Sequence, residues 1–502
     1  MPRRTSSGRI VHLHLDPDSA VPIYQQVYAG IRQRILEGRL PGGGGLPSTR
    51  ALARDLCVSR STVIQAYEQL RLEGYAEGRI GAATRVAAAL PDRSLRAPAR
   101  GVPARHPGAH RGRTSARARD VMALTRRSLD VLDEAPRAFR AGVPAVDIFP
   151  VDTWGRLMAR RWRLVQARSL SYGQPFGFRP LRQALTEYLG SARGVRCEPE
   201  QVLIVNGSQQ GLDLAAQVLL DPGDRVWLED PGYNGARGAF AAAGATSVPV
   251  PVDDDGLVVS EGRRLAPDAR AAFVTPSRQL PLGMALSLPR RLELLEWARG
   301  ADAWIIEDDY DSEFRYVGRP LAALHGLDAH GCVIYAGTFS KVTFPSVRLG
   351  YLVVPPALVD AFAAVRSFAD FTPPWLSQAV MADFMTEGHF ERHIRRMRTL
   401  YKERQEILVS HGRRELAGAL DVQPSDAGMT LLGWLPPGTN DAAAAAAAGE
   451  FKVDVLPLSS FATRPARPGL LLGYAGVRER EIKDGTTRLA QALEAFGRRR
   501  TA

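Results

Sequence analysis

Lys341 and Arg348 are the residues around which covalent chemistry could be built in this chain. In the stretch from Cys332 to Tyr351, CVIYAGTFSKVTFPSVRLGY, the apolar residues Val333, Ile334, Tyr335 and Ala336 predict a buried strand, and Gly337, Thr338 and Ser340 break it in front of Lys341. Arg348 follows, ahead of a second apolar strand from Leu349 to Val354. An amine held in a part-apolar pocket beside another cation has a lowered pKa and can attack a carbonyl to form a Schiff base. An arginine fork suits a phosphate, to which it donates two parallel hydrogen bonds. A lysine imine with a phosphate anchor points to pyridoxal 5'-phosphate. Taken alone, the stretch is equally well explained by a solvated Ser-Lys turn and a surface arginine.

Upstream, Trp304 to Tyr316 reads WIIEDDYDSEFRY, an apolar strand ending in clustered carboxylates. Pyridoxal phosphate needs one carboxylate to keep its ring nitrogen protonated, which makes the ring an electron sink. Asp308 is the candidate for that role, with Tyr310 close behind for the ring oxygen. Together the two stretches resemble the fold-type-I aminotransferase domain of the MocR (GabR-like) subfamily of GntR-type bacterial regulators.

The elements that must position these residues follow from the rest of the C-terminal part. From Phe139 onward, strand-like runs at 202–205, 225–228, 247–250, 272–275, 304–306, 333–336 and 349–354 alternate with helical patterns. Such alternation predicts an α/β layer structure with a largely parallel sheet, whose ligands bind beyond the carboxyl ends of its strands. Asn206-Gly207-Ser208-Gln209-Gln210 lies between a strand and a helix, so the amides of Gly207, Ser208 and Gln209 would point at an anion. Thr338 and Ser340 add hydroxyls there and Arg348 adds charge. By the resemblance, Tyr233 in EDPGYNGAR stacks on the pyridine face, and Tyr172 in SYGQPFGFRPLR reaches the phosphate from the neighbouring subunit of a homodimer. Core packing with a satisfied hydroxyl is the alternative for either tyrosine.

Some positions depart from the enzyme pattern. Aminotransferases of this fold usually carry Asn-Pro-x-Gly against the ring oxygen, whereas this chain has Ser277-Arg278-Gln279-Leu280-Pro281-Leu282-Gly283, with leucine for the amide and Arg278 where the subfamily commonly has histidine. The arginine that clamps a substrate α-carboxylate is replaced within LLLGYAG by Leu471, and Arg464 and Arg467 lie out of register. The helix expected over Gly388 to Gln405, GHFERHIRRMRTLYKERQ, resembles one typical of MocR regulators and reads equally as a solvated basic helix.

At the N-terminal end, Ile23, Val27, Ile31 and Ile35 predict an amphipathic helix over residues 22–37. Ser48 can cap a second helix through Leu56 and Ser59 a third to about Glu73, which makes a helix-turn-helix. In the third, Val63, Ala66 and Leu70 face inward and leave Arg60, Ser61, Thr62 and Gln65 outward near the end that meets base edges in a major groove. A hairpin wing is expected over 75–80 and 84–88. LPSTRALARDLCVSRSTVIQAYEQLRLEGYAEG resembles the GntR-type winged helix, which implies Arg50 and Arg60 as DNA contacts with Ser48, Ser59 and Thr62 on phosphates. Gly45, where the family usually has a basic residue, and the tip Gly81-Ala82-Ala83-Thr84 depart from that pattern.

Composition sets the outer bounds. A chain of 502 residues with 45% hydrophobic content exceeds one ordinary domain and fills a sizeable core. The net charge of +12 favours a polyanionic partner, DNA or an acidic membrane surface. Three widely spaced cysteines, Cys57, Cys197 and Cys332, argue against a disulfide framework and a zinc site and fit a reducing cytoplasm; no metal site is expected. From Pro91 to Arg119 the arginine-rich, proline-interrupted sequence predicts a disordered tether, which adds affinity for DNA phosphates or serves as a plain spacer. The expected organisation is a winged helix-turn-helix over 15–88, a basic linker over 89–135 and an aminotransferase-like α/β domain over 136–500. The expected function is a transcription regulator that senses pyridoxal phosphate or an amine bound to it; the rival is a working aminotransferase with an appended DNA-binding domain.

Overall fold

The computed structural model describes residues 13–78, 84–90, 114–125, 137–318 and 321–501. The chain divides into two compact units, Met1–Gly112 and Arg113–Ala502.

In the first unit, α1 (Ile23–Leu36), α2 (Thr49–Asp55) and α3 (Arg60–Leu72) precede a two-stranded antiparallel ribbon of β1 (Ala76–Glu77) and β2 (Arg85–Val86). The four-residue spacing on α1 puts Val27, Ile31 and Ile35 on one stripe, which packs with Val63, Ala66 and Leu70 of α3 at 0–1% exposure. Both caps form as expected: Ser48 Oγ accepts from Ala51 N at 3.2 Å and Ser59 Oγ from Thr62 N at 3.1 Å. The turn between α2 and α3 is closed by Cys57, whose φ of 55° is left-handed. The ribbon is the base of the expected wing; its tip, with Gly81, Ala82 and Ala83, lies outside the described residues.

The second unit starts with a difference from expectation. Residues Ala116–Thr125 form α4, where a tether was expected. The prolines of the basic segment stop at Pro107, Ser115 Oγ accepts from Ala118 N at 3.1 Å as a cap, and the alanines and leucine that follow are good helix formers. Residues 91–113 and 126–135 of the expected tether lie outside the described residues.

The main sheet has eight strands in the order β3-β10-β9-β8-β7-β4-β5-β6. They are β3 (Val202–Val205), β4 (Arg225–Asp230), β5 (Thr246–Asp253), β6 (Gly256–Leu257), β7 (Ala271–Val274), β8 (Trp304–Asp309), β9 (Val333–Thr338) and β10 (Gly350–Val353). Strands β5, β4, β7, β8 and β9 run parallel, and β10 is antiparallel to both β9 and β3. The central strands are buried on both faces, which is why they read as apolar runs. Along β3, Val202 and Ile204 enter one core while Leu203 and Val205 enter another.

Two helices that follow strands matter for the site, α5 (Ser208–Leu219) after β3 and α6 (Asn234–Ala243) after β4; further on come α7 (Val359–Ala369) and α8 (His389–Glu415). Helix α8 is more than a solvated basic helix, since Phe390, Ile394, Met397, Tyr401 and Leu408 line a buried stripe along it. A second, antiparallel sheet, β11-β12-β14-β13, precedes the C-terminal helix Glu479–Thr501, with β11 (Asp421–Val422), β12 (Thr430–Trp434), β13 (Leu456–Pro457) and β14 (Gly469–Gly473).

Two boundaries correct the sequence reading. β9 continues through Gly337 and Thr338, because a Cβ at Gly337 would stand 2.3 Å from the Tyr351 ring: the glycine serves close packing and does not break the strand. β8 continues through Glu307, Asp308 and Asp309, which are buried. No described helix is long and apolar enough to cross a membrane.

Candidate functional site

Lys341 stands in the turn beyond β9, as its sequence position predicts, and its Nζ donates to the carbonyl of Gly142 at 2.7 Å. Burial lowers its pKa, while Asp311 and Asp308 pull the other way. Desolvation thus shifts Lys341 toward its neutral, nucleophilic form.

Asp308, near the end of β8, is 4% exposed, and its Oδ1 has no hydrogen-bond partner within the protein. Desolvation, followed by repulsion from Asp309, pushes its carboxyl up to about 7, and Lys341 offsets part of this. Asp309 is already matched, since Arg193 Nε donates to it at 2.7 Å and the Tyr335 hydroxyl at 2.6 Å. Glu307 accepts from the backbone N–H groups of Leu324 and His325, each at 2.8 Å. Asp309 also keeps an Oδ1 without a hydrogen-bond partner, but its charge is matched through Oδ2 by Arg193, whereas Asp308 has no such arginine among the described residues.

The phosphate end is built by α5 and the segment before β10. Gly207 caps α5 with φ 90°, and a Cβ there would lie 3.3 Å from Arg348 Nη2, so the glycine permits the close approach. Arg348 is itself left-handed at φ 49° and donates from Nη2 to the Asn206 carbonyl at 2.9 Å. Ser208 opens α5 and Gln209 follows; Gln209 Nε2 donates to Gly235 O at 2.9 Å. Ser340 N donates to Thr338 Oγ1 at 3.2 Å, which fixes the two hydroxyl residues in one turn. Tyr233 precedes α6 with its hydroxyl 3.4 Å from Gln209 Oε1, and burial and the charge of Asp308 raise it to about 12 while Arg348 lowers it. The field of Asp308 and that of Arg348 thus meet at this ring.

These groups fit pyridoxal phosphate on their own chemistry. A buried carboxylate oxygen without a donor calls for a cationic N–H, a desolvated lysine for an aldehyde, and helix-end amides beside an arginine for a phosphate.

Several partners were not visible in the sequence. Arg278 donates from Nη1 to the Tyr310 hydroxyl at 3.2 Å, from Nε to Ala427 O at 3.1 Å and from Nη2 to Thr430 O at 2.6 Å, and it pairs with Asp311 at 3.5 Å. Glu229 accepts from the Thr275 hydroxyl at 2.6 Å, and burial raises it to about 7. Leu471 is buried in β14 and paired with Leu432 and Leu456. Arg464 donates to Pro249 O at 3.3 Å, and Arg467 lies 4.5 Å over the Trp434 ring, so both are engaged elsewhere. Tyr172 is not brought to the Lys341 site of its own chain: it is 89% exposed and packs edge-on against Phe371 at 5.8 Å.

In the first unit, Arg50, Arg60 and Ser61 are exposed and Thr62 is half-buried. The Ser59 hydroxyl lies 2.7 Å from both Ser61 Oγ and Thr62 Oγ1, and Arg60 Nε is 3.4 Å from Thr49 Oγ1. Ser48, Ser59, Ser61, Thr62 and the two arginines thus gather at the N-terminal ends of α2 and α3, where helix-end amides favour phosphate.

Comparison with known proteins agrees with both units. The family "Aminotransferase class I and II" matches residues 146–489, and "Bacterial regulatory proteins, gntR family" matches 23–86. The chain is 43% identical to the probable rhizopine catabolism regulatory protein MocR of Rhizobium meliloti, covering 96% of each chain. It is 33% identical to the HTH-type pyridoxine biosynthesis transcriptional regulator PdxR of Corynebacterium glutamicum, over 78% of this chain and 80% of that one. Among solved structures it is similar to LysN, an α-aminoadipate aminotransferase of Thermus thermophilus complexed with N-(5'-phosphopyridoxyl)-L-leucine, at 29% identity and a TM-score of 0.66, covering 76% and 95%.

Proposed function

Because this chain belongs to the MocR type of GntR-family transcriptional regulators, whose C-terminal part is a pyridoxal-phosphate-dependent aminotransferase domain, we propose that it adjusts transcription in response to that cofactor or to an amine or amino acid joined to it. One observation carries the effector side of this reading: the donor-less oxygen of Asp308 on a buried carboxylate whose charge acts directly on the desolvated Lys341.

When bound, the cofactor supplies an aldehyde for amines and an electron-drawing ring. In this reading Lys341 holds it covalently, Asp308 holds the proton of its ring nitrogen, Tyr233 covers the ring face and Tyr310 serves the ring oxygen. Gly207, Ser208, Gln209, Thr338, Ser340 and Arg348 hold the phosphate, with Tyr172 from a second copy of the chain. A two-fold homodimer is supported by a cleft of about 1250 Å³ lined by Trp162, Leu170 and Tyr172, among others, an apolar surface of the kind that marks interfaces. Arg50 and Arg60 read DNA, with Ser48, Ser59, Ser61 and Thr62 beside its phosphates. The reading divides the chain into 15–88, 89–135 and 136–500.

A sensing role is favoured over turnover by Leu471, since a buried leucine paired within β14 cannot fix a substrate carboxylate. The competing observation is the fold itself, which is that of working aminotransferases. The test is binding of the purified protein to its own upstream DNA with and without pyridoxal phosphate. A cofactor-dependent change in affinity is expected, and no DNA binding under either condition would refute the proposal.

A further inference from the structure

The loop at the phosphate end of the candidate site is held in shape by a carboxylate that lies outside that set of residues. Asp370 follows α7, and its Oδ2 accepts from Asn206 Nδ2 at 2.6 Å and from Gln210 Nε2 at 2.7 Å. Its Oδ1 lies 2.6 Å from Arg366 Nε. Arg366 is fully buried and donates from Nη1 to the Ile204 carbonyl at 3.1 Å. Asn206 gives its own carbonyl to Arg348 and donates its backbone N–H to Gln210 Oε1 at 2.7 Å.

These contacts close a ring. It runs from Ile204 on β3 to Asn206, across to Asp370, back through Arg366 and again to Ile204. The residues flanking Gly207, Ser208 and Gln209 on either side are both fastened to one carboxylate, and the Asn206 carbonyl that this carboxylate helps to fix is the one that orients Arg348. Donors aimed in advance at an anion bind it without a reorganisation cost. Without Asp370, both amide side chains would be released and the buried Arg366 would lose its counter-charge.

We infer that Asp370 is a positioning residue for the phosphate group: it sets the amides of Gly207, Ser208 and Gln209 and the Arg348 guanidinium, and thereby the preference for a phosphorylated over an unphosphorylated pyridoxal. This rests on the cofactor reading above. The side chain of Asp370 is 29% exposed, so solvent screens it in part and the effect is moderate.

The experiment titrates the full-length protein and D370N with pyridoxal 5'-phosphate and, separately, with pyridoxal, each followed by visible absorption. Pyridoxal reports the lysine and ring contacts alone, and the ratio of the two affinities reports the phosphate. D370N is expected to bind pyridoxal phosphate roughly tenfold more weakly while pyridoxal affinity stays within about twofold. N206A should show the same selective loss, and the double variant little further loss, because the two side chains act through one contact. N206A carries the comparison if D370N fails to fold. An unchanged pyridoxal phosphate affinity, or an equal loss for both aldehydes, overturns the inference. Failure of the wild-type protein to bind pyridoxal phosphate overturns the cofactor reading, and the inference with it.

Discussion

Replacing Asp308 by asparagine should stabilise the cofactor-free protein, and increasingly so as pH rises. The carboxyl is pushed up from 3.8 to about 7 in the folded protein, with desolvation as the main cause. Between these values the folded state keeps a proton that the unfolded state has lost, so the free energy of unfolding falls as pH rises. The contribution of this group is complete below its unfolded pKa and is lost progressively until the folded pKa is passed. A shift of about three units at 1.36 kcal/mol each sets a ceiling of about 4 kcal/mol. At 4% exposure bulk water screens little, but adjustment of the neighbouring carboxylates and Lys341 reduces the effect, and ~1–3 kcal/mol is expected. Asparagine keeps the shape and stays neutral. In a domain of this size, with ~2.1 cal/mol/K of unfolding entropy per residue, that corresponds to a Tm difference of roughly 1–4 °C. The assay is thermal unfolding of stripped wild type and D308N at a series of pH values from 5 to 8.5. The advantage of D308N should grow up to about pH 7.5 and then level off. With cofactor present the sign reverses, because the variant cannot hold the ring-nitrogen proton. A Tm difference that does not change with pH, or a variant less stable than wild type at alkaline pH, would refute the reasoning.

Four further outcomes are expected. Purified protein loaded with pyridoxal phosphate should be yellow, and Lys341→Ala should abolish that absorption band; persistence of the band removes Lys341 from its role. Arg50→Ala or Arg60→Ala should cost ~1–3 kcal/mol of operator affinity in a gel-shift or anisotropy titration if the arginine reaches a base edge. Light scattering should show a dimer, and a monomer that binds cofactor fully would count against Tyr172 as a shared contact. Steady-state assays across common amino donors and keto acids should show spectral shifts with at most a slow half-reaction, whereas repeated turnover at ordinary enzyme rates would favour the enzyme reading.

What could be read from the sequence was local. Ser48 and Ser59 as caps, the Ile23–Ile35 stripe and Lys341 at a strand end all depend on neighbours within a few residues. What could not be read was set by partners far along the chain. Arg193 reaches Asp309 and the N–H groups of Leu324 and His325 reach Glu307, and only those contacts single out Asp308 as the carboxylate without a comparable partner. Gly337 misled because glycine signals both a break and a close approach, and the ring that decides between them belongs to Tyr351 on the next strand. The helix Ala116–Thr125 was hidden by the proline-rich sequence before it, whose composition dominates any window that spans both.

Arg278 has a mechanical consequence. Its guanidinium belongs to the segment after β7 of the main sheet, yet it grips the carbonyls of Ala427 and Thr430 around the start of β12 in the C-terminal sheet while also holding Tyr310. A swing that separated the two sheets here would strip a buried cation of two of its carbonyl acceptors, at a cost of about 1–3 kcal/mol for each donor left unsatisfied. That is as much as a small effector can be asked to supply through differential binding. The joint between the sheets is riveted at this point, and a ligand that fills the pocket would spend its binding energy on side chains and neighbouring surfaces and would leave the joint closed.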